Sequence, residues 1–146
     1  MAGAGDNSNI GAVWVFVRNG GVWSQQGPKL VGSAQALNSA QGSSVALSAD
    51  GNTMMVGGRG DNLNQGAVWV FTRSGGVWTQ QGAKLIGTGN VGAAQQGWAV
   101  ALSSDGNTAI VGGLADNSKR WRVLGVHTER GRVDAAGQQA RRLLMP

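Results

Sequence analysis

The sequence predicts an all-β fold built of propeller-type blades of four antiparallel strands, with about two repeats in an incomplete ring. Three observations carry that expectation. Gly11-Ala12-Val13-Trp14-Val15-Phe16 returns as Gly66-Ala67-Val68-Trp69-Val70-Phe71, an offset of 66 − 11 = 55. The same offset carries Gly20-Gly21-Val22-Trp23 onto Gly75-Gly76-Val77-Trp78, and Asp50-Gly51-Asn52-Thr53 onto Asp105-Gly106-Asn107-Thr108. Each repeat alternates short apolar runs with turn residues and shows no sustained helical period. A fixed period of this length means units that stack on their neighbours rather than folding alone.

Residue 1 aligns with Val56, inside the fourth strand of a repeat, so the expectation is a partial blade followed by units at 11–65 and 66–118. In the first unit, 12–18 is rich in β-branched and aromatic residues. Asn19-Gly20-Gly21 then offers positive φ for a hairpin, and 22–26 returns. The third run is 44–48, with Val45 and Leu47 on one face. Ala49-Asp50-Gly51-Asn52 turns it, and 53–57 runs back. The second unit repeats the pattern from 67 to 112. Four short strands per repeat read as one blade. Two blades leave open edges and exposed apolar faces, from which aggregation is expected.

Trp14, Trp23, Trp69 and Trp78 stand at equivalent strand positions, and Trp98 replaces Ser43. Strand tryptophans are expected as core between blades, with the indole N–H bonded locally. The alternative is a row of stacking platforms for sugar rings.

Gly42-Ser43-Ser44-Val45-Ala46-Leu47-Ser48, followed by Val56-Gly57-Gly58, resembles the FG-GAP repeat of integrin alpha-subunit propellers and many bacterial surface proteins. The likeness covers about residues 2–118. The family's Phe-Gly pair is Gln41-Gly42 and Gln96-Gly97 here, and its Gly-Ala-Pro is Gly57-Gly58-Arg59 and Gly112-Gly113-Leu114. The resemblance implies a propeller used for binding rather than catalysis, commonly at the cell surface or outside the cell. Its ligand would be a protein or glycan on the loop face of the complete ring.

Some FG-GAP blades hold calcium, which takes six to eight oxygens. The equivalent turns here offer only Asp50 and Asp105, so no metal or other cofactor is expected. Asp61-Asn62 with Asn64, and Asp116-Asn117, form a recurrent oxygen-rich loop that Asp6-Asn7 with Asn9 begins. These residues are the candidate ligand-facing positions, against a plainer reading as side-chain-capped turns. Arg59-Gly60-Asp61 spells a tripeptide that integrins recognise, yet the equivalents of its arginine are Ala4 and Leu114.

No catalytic residue is assigned. The single His127 and the single Glu129 lie outside the repeats, which contain no histidine base and no paired carboxylates. The glycines precede strands or sit in hairpins, unlike a phosphate-binding loop. With no cysteine there is neither disulfide nor thiolate site. No apolar run approaches the ~20 residues of a membrane span. The first residues show neither the basic nor the apolar segment of a signal peptide.

The formal charge of +5 sits entirely in residues 119–146. Within 1–118, Arg18, Lys29, Arg59, Arg73 and Lys84 balance Asp6, Asp50, Asp61, Asp105 and Asp116. A third Gly-Ala-Val-Trp should begin at Trp121 but does not. Permitted codons for Trp121 onward, read from the second base of the Trp121 codon, spell Gly-Ala-Ser-Trp-Val-Phe-Thr-Arg-Ser-Gly-Gly-Val-Trp, nearly residues 66–78 again. The expectation is a one-step frame change near 119–121 and an unstructured basic tail over 119–146. Such charge is then no selected nucleic-acid patch, and no nucleic-acid partner is expected. A genuine basic arm is the alternative. For the whole chain, the alternatives to a binding module of a surface or secreted propeller are a carbohydrate-binding module using exposed tryptophans and a decayed fragment without function.

Overall fold

The computed structural model describes residues 2, 3, 5–117 and 122–124. Its strands are β1 (Ala2–Gly3), β2 (Ala12–Val13), β3 (Phe16–Asn19), β4 (Val22–Gln25), β5 (Gln41–Leu47) and β6 (Thr53–Gly58). They continue as β7 (Ala67–Ser74), β8 (Val77–Gln80), β9 (Gln96–Leu102), β10 (Ala109–Gly113) and β11 (Arg122–Leu124). All pairings between these strands are antiparallel. The chain is thus all-β.

The four-stranded sheet has the order β5-β6-β7-β8 and so straddles the two sequence units. The last two strands of one unit join the first two of the next, which corrects the expectation that the four strands of a unit form one sheet. The connections explain the phase. β6 reaches β7 through a compact turn over 59–66, whereas 26–40 crosses from β4 to β5. The same frame places β1-β2 and β3-β4 before this sheet and β9-β10-β11 after it.

Local sequence explains the elements. Gly20 and Gly21 both take positive φ (54° and 83°), as do Gly75 and Gly76 (56° and 77°). Two consecutive positive φ angles suit the right-handed twist of a tight hairpin, and Asn19 accordingly pairs with Val22 and Ser74 with Val77. β7 is continuous because β6 pairs along Thr53–Gly58. Its counterpart divides into β2 and β3 because β1 offers partners only to Ala12 and Val13. Asp6–Asn9 and Asp61–Asn64 each form a single turn whose interior is left-handed, at φ 50° and 57° for Asn7 and Ser8 and 48° and 57° for Asn62 and Leu63.

A bulge opens β5 and β9 at the same place. The pairing jumps from Gln41↔Gly58 to Ser44↔Gly57, and from Gln96↔Gly113 to Ala99↔Gly112. Gly97 sits in the second bulge at φ 84°, and a Cβ there would lie 2.6 Å from the Ala67 carbonyl oxygen. Only glycine meets both demands. The hydroxyls of Ser43 and Ser44 donate to the Gly97 carbonyl at 3.3 and 2.7 Å, tying β5 to the next sheet.

The core lies between sheets. Met54, Val56, Ala67, Trp69, Phe71 and Trp78 of the four-stranded sheet pack with Val13 of β2, Val15 just after it and Leu30 of the crossing segment. Trp69 is fully buried. Removing that much indole from water contributes on the order of 4 kcal/mol. Gly32 lies flat against it, since a Cβ there would be 2.2 Å from Trp69 Cδ1.

Arg122–Leu124, which the sequence places in its basic tail, pair with Gly113, Gly112 and Val111. That register matches Ala67, Val68 and Trp69 on Gly58, Gly57 and Val56. Backbone pairing asks nothing of the repeat's side chains, so it survives their loss. The rest of the tail expected over 119–146 lies outside the described residues.

Candidate functional site

The oxygen-rich loops hold their aspartates inward. Asp61 and Asp116 are both fully buried. Asp61 Oδ1 accepts the Ala36 backbone N–H at 2.6 Å, and Asp116 Oδ1 accepts that of Val91 at the same distance. Lys84 Nζ donates to Asp61 Oδ2 at 2.6 Å and to the Ala34 carbonyl at 2.8 Å. The preceding equivalent, Lys29 on Asp6, is a more exposed pair at 2.5 Å. Asp61 and Asp116 therefore pin the crossing segments by backbone N–H groups, and Lys29 and Lys84 reach Asp6 and Asp61 from such segments. Asn62, Asn64 and Asn117 are exposed. Asn62 Nδ2 donates to Gln65 Oε1 at 2.7 Å, and the Asn117 backbone N–H donates to the Val91 carbonyl at 3.0 Å. The surface of these loops is thus the asparagines with Leu63, which is 89% exposed.

Arg59-Gly60-Asp61 presents no carboxylate to a receptor, because Asp61 is buried beneath Lys84. Arg59 instead lies over the Trp98 ring, 4.5 Å from its centroid. A guanidinium over an indole face is attracted by the ring quadrupole.

Asp50 and Asp105 serve their own turns. Ser48 Oγ donates to Asp50 Oδ1 at 2.6 Å, and the Asn52 N–H donates to the same oxygen at 2.9 Å. Ser103 and Asn107 do this for Asp105 at 2.6 and 3.0 Å. These bonds, the serine hydroxyl first, hold both carboxyls below the usual aspartate value. Among the described residues, no three of His, Cys, Asp or Glu come together as a metal would require.

The tryptophans divide by position along the array. Trp69 donates its indole N–H to the Ser33 carbonyl at 2.8 Å. Trp78 donates to Gln26 Oε1 at 3.1 Å, and Arg73 donates to the same oxygen at 3.3 Å while stacking on the indole at 5.6 Å. Both acceptors belong to the preceding unit. Trp78 is 9% exposed, but its equivalent Trp23 is 65% exposed. Trp14 and Trp98 are half-buried. Identical sequence positions differ because the cover comes from a neighbour, not from the strand itself.

Sequence reasoning missed the amide clamp. Gln41 is 1% exposed; its Oε1 accepts the Gly32 N–H at 2.6 Å and its Nε2 donates to the Gly32 carbonyl at 3.0 Å. Gln96 repeats this on Gly87 at 2.6 and 2.9 Å. The signal was present, since Gly32 and Gln41 recur together as Gly87 and Gln96. Among the described residues, no helix is long and apolar enough to cross a membrane. Comparison with protein-family models and with curated proteins gave no match.

Proposed function

We propose that the chain is a non-catalytic binding or structural module, whose sheets are propeller-type blades of the FG-GAP kind, acting through its exposed loops on a protein or glycan. The observation that carries this reading is where the polar chemistry goes. The buried Asp61, Asp116, Gln41 and Gln96 spend their hydrogen bonds on backbone of the crossing segments. The recurrent side chains are those of a scaffold, and the exposed asparagines remain for contact. The test is binding of the chain to arrays of glycans and cell-surface proteins, with Asn62, Asn64 and Asn117 replaced together by serine. Loss of binding with an unchanged circular dichroism spectrum is expected. Turnover of ester, phosphate or glycoside substrates that persists through repurification would sink the non-catalytic reading.

A second reading, a carbohydrate-binding module, is favoured by the 65% exposure of Trp23. An exposed indole stacks on a sugar face. Oligosaccharides should then quench the fluorescence of the chain, and Trp23→Ala should abolish that quenching. No quenching at high concentration excludes it.

A further inference from the structure

The chain carries both halves of an interface that it already uses once internally. Inside the molecule, the segment around Gln26–Ala34 covers the four-stranded sheet. Gln26 Oε1 accepts the Trp78 indole N–H and an Arg73 N–H, and Leu30 packs into the core that holds Phe71 and Trp78. Both partners of that joint recur. The covered set, Phe71 and Trp78 with Arg73, has its equivalent in Phe16 and Trp23 with Arg18. Phe71 is 4% exposed and Phe16 38%, and the two tryptophans differ more widely still. The covering set, Gln26, Leu30 and Val31, has its equivalent in Gln81, Leu85 and Ile86. Leu30 and Val31 are half-buried, whereas Gln81, Leu85 and Ile86 are exposed. One open face is therefore built to fit the other.

We infer that a second copy of this chain docks head to tail, its Phe16–Trp23 face received by Gln81, Leu85 and Ile86 of the first. Gln81 Oε1 then accepts the Trp23 indole N–H of the next copy, as Gln26 accepts that of Trp78. Phe16 enters the apolar contact that Leu85 supplies, as Phe71 does with Leu30. The two surfaces differ, so the joint is heterologous and each added copy leaves one of each open. Association is open-ended unless the rotation per copy closes a ring. This inference concerns contacts between copies and stands independently of any ligand on the loops.

The docking frame also gives Arg122–Leu124 a role. The incoming Ala12 and Val13 leave their own partners Gly3 and Ala2 on β1 and take the places on β10 that Arg122 and Val123 hold, because β11 repeats the register of β7. β11 thus covers an edge that would otherwise template strand addition, and docking releases it.

The test is sedimentation velocity of the full chain across the micromolar range, with Trp23→Ser and Leu85→Asp variants. Both positions are exposed, so folding survives by circular dichroism. The parent is expected to gain mass with concentration beyond a pair. Each variant alone should remain a monomer. An equimolar mixture should stop at the mass of two chains, because each variant keeps the face the other has lost. A parent that stays monomeric, a variant that assembles as the parent does, or a mixture that remains monomeric would overturn the proposal. Leu124→Pro, which loses the backbone N–H facing β10 as that of Trp69 faces β6, should assemble at lower concentration than the parent. An unchanged threshold would refute the exchange at β10.

Discussion

Replacing Gln41 by leucine tests whether the buried amide clamp is what joins the crossing segment to β5. The substitution keeps nearly the same volume at a site 1% exposed to solvent. It deletes the acceptor of the Gly32 N–H and the donor to the Gly32 carbonyl, bonds of 2.6 and 3.0 Å. Gly32 is itself buried against Trp69, so water has no route to replace either partner. A buried polar group left without a partner costs about 1–3 kcal/mol, and here there are a donor and an acceptor. The leucine regains about 1 kcal/mol of transfer energy through its apolar surface. The expected net loss is therefore about 1–5 kcal/mol. Gln96→Leu supplies the control, because Gly87 is only half-buried and hydration recovers part of the loss. Urea titration followed by tryptophan emission reads both variants against the parent, with Trp69 as the buried reporter. A loss below 1 kcal/mol for Gln41→Leu, or a larger loss for Gln96→Leu, would refute the reasoning.

Three further outcomes are expected. Lys84→Met leaves the fully buried Asp61 carboxylate without its cation and should cost about 3–5 kcal/mol, whereas Lys29→Met removes a half-exposed pair and should cost less than about 1 kcal/mol; thermal unfolding separates them. Leu63→Asn relieves a left-handed, solvent-exposed leucine at φ 57° and should stabilise the chain by about 1 kcal/mol in the same assay. Ser48→Ala removes the first cause of the depressed Asp50 carboxyl, so carbon-detected NMR titration should show that group moving up toward the ordinary aspartate value. The sign follows from linkage: a carboxyl held low in the fold stabilises it above the unfolded value, and that contribution is lost as pH falls through the folded value. The acid limb of the unfolding curve in Ser48→Ala should be correspondingly shallower, and an unmoved Asp50 would count against the hydrogen bond.

The hairpins were legible because their chemistry is local. Asn19-Gly20-Gly21 announces a two-residue turn that the strands then obey. The grouping of strands into sheets was not legible, because a period has no phase: the offset between Gly11 and Gly66 is the same wherever a unit is taken to begin. The phase is decided by the short link from Gly58 to Ala67 against the long one from Gln25 to Gln41. Burial of the tryptophans was only half legible for a related reason. Trp23 and Trp78 occupy the same strand position, and what separates them is Gln26, which reaches one and not the other. At the candidate loops the sequence marked the oxygen-rich residues but not their direction. Asp61 turns inward because Lys84 and the Ala36 N–H await it, both more than twenty residues away. Gln41 stood out only as an absent aromatic, since its pairing with Gly32 is a tertiary contact across a loop.

The cover on both buried tryptophans comes from earlier in the chain: Ser33 for Trp69 and Gln26 for Trp78. Synthesis runs in the same direction. When Trp69 leaves the ribosome, the segment that will roof it has already emerged, and no part of that pocket waits on anything beyond the strands of its own sheet. The array can thus condense vectorially, each indole finding its roof in place, whereas a chain growing from the other end would hold its tryptophans bare until last.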